Sequence, residues 1–111
     1  MWRLLLDTTR EPSSLVAIEG LDLLRAGLAR SWRTFRYALD DPIEERLPRV
    51  RVPALVVHGS RDGISPRYWA EEVARLLPDG RLVDLPGTPH AANYSAPAQF
   101  ARAVRAFLAG A

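Results

Sequence analysis

At 111 residues, 48% of them hydrophobic and 25% charged, the chain has room for one modest domain, and its composition excludes intrinsic disorder and a membrane-spanning class. Its formal net charge of +2 rests on arginines scattered from Arg3 to Arg105, with no lysine and no basic run, which argues against a nucleic-acid surface. Cysteine is absent and the two histidines, His58 and His90, share no metal-ligand spacing, so disulfides, thiolate chemistry, a metal and any other cofactor are not expected.

Near the N-terminus only Leu4–Leu6 is continuously apolar, too short for a signal-peptide core, and the expected location is the cytoplasm. From Ser13 to Asp41, Leu15, Ile18, Leu21, Leu24 and Leu28 recur at helical spacing, interrupted by Gly20 and Gly27. Two or three short helices are predicted there. Trp32, Phe35 and Tyr37 suit either the lining of an apolar channel or the core of this helical segment, and the apolar stripe also suits a groove on a partner. Pro42 opens one further helical turn with Glu44 and Glu45 near its start, and Pro48 stops it.

The chain changes character near Pro53, dividing a helical segment, residues 1–48, from a second segment, residues 49–111. Val52, Ala54, Leu55, Val56 and Val57 make an apolar run too short for a helix and rich in β-branched residues, as in a parallel strand buried on both faces. Ser65 and Pro66 read as the N-cap and first position of a helix through Leu77, ended by Pro78 and Gly80. "RLVDLPG" supplies a second strand. Pro97 then opens a last helix with Phe100, Val104, Phe107 and Leu108 on one face, its start capped by Ser95. The resulting βαβα unit predicts a parallel sheet covered by helices, but two strands leave both sheet edges open. Either further strands complete the sheet or copies of the chain associate through those edges.

Asp62 and His90 each fall just beyond the C-terminal end of a strand, where open α/β sheets place functional loops. Neighbouring parallel strands lie about 4.8 Å apart, so these loops bring a carboxylate within reach of an imidazole. A carboxylate there orients the ring and stabilises its protonated form, as a general base requires. Spacing alone equally allows Asp62 to be a turn former bonded to backbone amides and His90 to be a polar loop residue. His58, at a strand end, is expected to pack or hydrogen-bond locally.

"RVRVPALVVHGSRDGISP" followed by "ARLLPDGRLVDLPGTPHAANYSAPAQFARAVRAFL" resembles the C-terminal portion of the α/β-hydrolase family, from about Leu47 to Leu108. The resemblance implies the last βαβα unit of a mostly parallel sheet, preceded by helical lid or cap segments over roughly Ser13–Pro48. It implies catalytic roles for Asp62, as triad acid in V-P-x-L-x-x-x-G-x-x-D-x-x-x-P, and for His90, as the triad histidine of P-G-x-x-H; the family's chain order also puts acid before histidine. The substrate-binding residues are not implied.

The family's nucleophile elbow, G-x-S-x-G, and the oxyanion amides around it are missing from these residues. None of Ser13, Ser14, Ser31, Ser60, Ser65 and Ser95 lies between glycines at that spacing, and the nearest match, Gly59–Gly63, centres on Arg61. Ser60, beside Asp62, lacks the strained turn that exposes a nucleophilic hydroxyl. The resemblance therefore implies part of a serine-type hydrolase of small-molecule esters, amides or related acyl compounds, with the serine elsewhere. The alternative expectation is a non-catalytic remnant serving as a binding or dimerisation module.

Overall fold

The computed structural model describes residues 11–110, so Leu4–Leu6 lie outside the described residues. Helix α1 (Ser13–Ala26) and helix α2 (Leu28–Leu39) are separated by Gly27, whose N–H closes α1 on the Leu23 carbonyl at 3.1 Å. Gly27 sits at φ 82°, a left-handed conformation that glycine reaches without Cβ strain. Gly20, expected to interrupt the helix, lies inside α1 instead. A single interior glycine costs a helix only about 1 kcal/mol, which the flanking leucines tolerate. Helix α3 (Ile43–Arg46) begins after Pro42 and tightens into a 3-10 turn over Leu47–Arg49.

Strand β1 (Ala54–Gly59), helix α4 (Arg67–Leu76) and strand β2 (Gly80–Leu85) make the expected parallel crossover unit, with Ala54 paired to Gly80 and Gly59 to Leu85. A single-turn helix α5 (Ala92–Ser95) leads into α6 (Pro97–Gly110), which runs back along the sheet. There the Arg81 guanidinium lies 5.6 Å above the Phe107 ring, a cation–π contact between strand and helix.

The strand is less covered than its sequence predicts. Val52 is exposed and outside β1, Ala54 to Val57 are half-buried, and only His58 and Gly59 are buried. The reason is topological: among the described residues β1 has one neighbour, so its outer edge meets no second strand there. Trp32, Phe35 and Tyr37 are all exposed, so they form no core within the helical segment, although the rings of Trp32 and Phe35 stand 6.0 Å apart.

Total accessible surface measures the same deficit. The chain exposes 8368 Å², whereas about 6,100 Å² is expected of a folded monomer of 12.4 kDa. Its radius of gyration, 15.4 Å, also exceeds the roughly 13 Å usual for this length. Among the described residues the buried apolar side chains are Leu77, Leu85 and Ala92. No helix among the described residues is long and apolar enough to cross a membrane.

Candidate active site

Both loops at the C-terminal end of the sheet are stitched together by backbone bonds. The Ser60 N–H extends the ladder to the Leu85 carbonyl at 3.0 Å, the Arg61 N–H reaches the Thr88 carbonyl at 2.9 Å, and the Asp62 N–H folds back to the Gly59 carbonyl at 2.9 Å. The Ser60 hydroxyl oxygen accepts the Gly87 N–H at 2.7 Å. Ser60 is thereby tied to the second loop, a bracing role for the serine nearest Asp62.

Asp62 combines the two readings its sequence position allowed. Its Oδ1 accepts the N–H groups of Ile64 at 2.7 Å and Ser65 at 2.8 Å, as a turn-forming aspartate does. Its Oδ2 faces His90 Nδ1 at 2.8 Å. The Asp62 side chain is only 5% exposed and that of His90 45%, so a sheltered carboxylate anchors a ring that reaches solvent. An ionised carboxylate only accepts, so Nδ1 carries the donated proton and Nε2 holds the lone pair. An open groove of about 260 Å³ adjoins the pair, with Val56, Val57, Trp69 and Val73 along its apolar side.

His58 hydrogen-bonds at both ring nitrogens, to the residue opposite it on the paired strand and to its own loop. Its Nδ1 lies 2.8 Å from Asp84 Oδ1, and its Nε2 donates to the Ser65 carbonyl at 2.9 Å. Arg67 ion-pairs with the second Asp84 oxygen. Ser65 thus serves through its backbone, and helix α4 is entered from Pro66 with no side-chain cap. Ser95 likewise does not cap α6: its hydroxyl donates to Glu11 Oε2 at 2.6 Å.

Glu11 escaped the sequence reading. Its other oxygen accepts the Ala91 N–H at 2.7 Å, so one carboxylate holds the residue after His90 and the end of α5 together, while Ser14 and Tyr94 hydroxyls meet at 2.7 Å beside it. Hydrogen bonds to a charged group contribute roughly 1.5–3 kcal/mol. Glu11→Ala is therefore expected to speed hydrogen exchange of the Ala91 amide by about tenfold or more, and an unchanged rate would show that the contact does not hold the loop. Asp84 was legible in principle, because an acid within the apolar strand "RLVDL" demands a partner. Among the described residues no three histidine, aspartate or glutamate side chains are grouped to hold a metal ion.

Residues 30–111 match the family model described as TAP-like protein, within the α/β-hydrolases. The human serine hydrolase BPHL is 35% identical over 89 residues, 76% of this chain and 30% of that protein. The pimeloyl-[acyl-carrier protein] methyl ester esterase of Edwardsiella ictaluri is 32% identical over 99 residues, 89% of this chain and 33% of the esterase. In structure, a CIB-like hydrolase from Thermoplasma acidophilum superposes with a TM-score of 0.59 at 25% identity, over 64% of this chain and 34% of that one. The chain thus spans about a third of the length of the two relatives BPHL and the esterase.

Proposed function

The chain belongs to the α/β-hydrolase family, and on that premise we propose that it carries the acid and base of a serine-hydrolase triad whose nucleophile lies outside these 111 residues. The 2.8 Å contact between His90 Nδ1 and Asp62 Oδ2 carries the proposal, because it leaves Nε2 facing away from the acid with its lone pair free to take a proton. In the reaction, a serine hydroxyl attacks an acyl carbonyl as Nε2 takes its proton. The tetrahedral intermediate collapses with that proton passing to the departing alcohol or amine. Water then repeats the cycle on the acyl-enzyme, and Asp62 offsets the imidazolium charge each time.

An ester, amide or related small acyl substrate is supported by the hydrolase and esterase names of the relatives. That the serine comes from elsewhere is supported by the lack of any G-x-S-x-G in the sequence and by the bonding of Ser60 to Gly87. The exposed edge of β1 and the excess of accessible surface support further strands beside it, and the exposed apolar side chains of α1 and α2 support reading these helices as a lid segment.

A fluorophosphonate probe tests the proposal on the native assembly that contains this chain. A serine is expected to be labelled with wild-type His90, and labelling should slow by roughly a thousandfold or more with His90→Ala. Equal labelling with and without the imidazole would retire the catalytic reading in favour of a binding module, in which the Asp62–His90 pair merely locks two loops.

A further inference from the structure

We propose that His58 is a positioning residue for the Asp62–His90 pair, acting through the backbone of Ser65; this rests on the triad reading above. The parallel register sets His58 directly opposite Asp84, so the strand pairing itself brings the buried ring to a carboxylate, Nδ1 to Oδ1 at 2.8 Å. The far side of the ring donates from Nε2 to the Ser65 carbonyl at 2.9 Å, while the Ser65 N–H donates to Asp62 Oδ1 at 2.8 Å.

Ser65 is therefore gripped at both its backbone polar groups, one by the imidazole and one by the candidate acid. With the Ile64 and Ser65 amides held on Oδ1, the Asp62 carboxylate cannot rotate, and Oδ2 stays aimed at His90. Both acceptors facing His58 lack protons to give, so the ring satisfies both only by donating from both nitrogens. A ring that merely filled space would not need an acceptor at each nitrogen. His58 is 6% exposed and both nitrogens are occupied, which keeps it from substrate chemistry. Arg67, ion-paired to the other Asp84 oxygen and to Glu71, supplies the outer end of the relay.

Because the chain has only two histidines, ¹⁵N-histidine labelling yields two ring systems, and each His58 variant leaves His90 alone to be read. His58→Gln places an amide donor near the former Nε2 and retains the Ser65 bond. His58→Asn reaches only Asp84 and loses it. The His90 Nδ1–H resonance of the full chain is expected to stay protected in the Gln variant and to exchange at least tenfold faster in the Asn variant. Asp84→Asn, which leaves the Ser65 acceptor in place, is expected to retain the signal and serves if the His58→Asn protein does not fold.

A ring whose role is only to neutralise Asp84 predicts the reverse order of the two amides. Equal protection in both variants, loss of the signal in Asp84→Asn, or a wild-type His90 without a protected ring proton would each overturn the proposal. The resonance is independent of turnover: a protein that hydrolyses nothing yet shows the Gln/Asn split retires the triad reading and leaves the positioning of the pair intact.

Discussion

Gly59→Ala is expected to pull His90 away from Asp62 and to destabilise the fold by about 3 kcal/mol, the upper end for forcing one methyl group into a packed interior. A Cβ at Gly59 would stand 2.3 Å from the carbonyl oxygens of both Thr88 and Pro89. These are backbone atoms, so no rotamer change relieves the clash. Thr88 and Pro89 are buried, and the Thr88 carbonyl already accepts the Arg61 N–H at 2.9 Å. The strain must move the loop that carries His90, the next residue.

Among the described glycines, positive φ occurs at Gly27 and Gly87, so at Gly59 the requirement is space rather than backbone conformation. Urea unfolding of the assembled protein, read beside the His90 Nδ1–H resonance, checks both halves of the expectation. A midpoint and resonance matching the wild type would mean that the two loops separate freely and that the stitching between them does not position the site.

On the proposed triad, Asp62→Asn is expected to lower acyl hydrolysis by the assembled protein roughly 10⁴-fold while the fold survives. The Asn carbonyl oxygen takes over the Ile64 and Ser65 amides, so the turn keeps its shape. The Asn amide then presents N–H to His90 in place of Oδ2, and His90 Nδ1 becomes the acceptor. The ring proton shifts to Nε2, where the lone pair is needed, and no negative charge remains to offset the imidazolium. Circular dichroism unchanged with turnover lost is the expected pair of results. A tenfold loss or less would assign Asp62 to the turn alone.

Much of the local structure was legible because it is written in short-range signals. The strands follow from the apolar runs ending at His58 and Leu85, α4 from the proline at its start, and α6 from Pro97 and the spacing of Phe100, Val104 and Phe107. The placing of Asp62 and His90 just past parallel strands needed only element order, and their meeting follows from strand spacing. Serine capping was misread at Ser65 and Ser95 for physical reasons: the cap position of α4 falls one residue later, on Pro66, and the Ser95 hydroxyl is taken by the Glu11 carboxylate, a partner 84 residues away that the sequence does not show.

Burial of β1 was overestimated for a related reason. An apolar run tells what environment a strand suits, not which neighbours these residues supply, and β1 has one among the described residues. By itself, then, the sequence determined the order of helices and strands, the family, and the loops on which a carboxylate and an imidazole sit, since turn formers and hydrophobic period act within a few residues. Only the tertiary structure decided how the two Asp62 oxygens divide their partners, that His58 and Asp84 form a second pair beneath them, and that Glu11 grips the chain after His90. The last two contacts join groups 26 and 80 residues apart, and that pairing exists only once strand register and the path of the helical segment have been set.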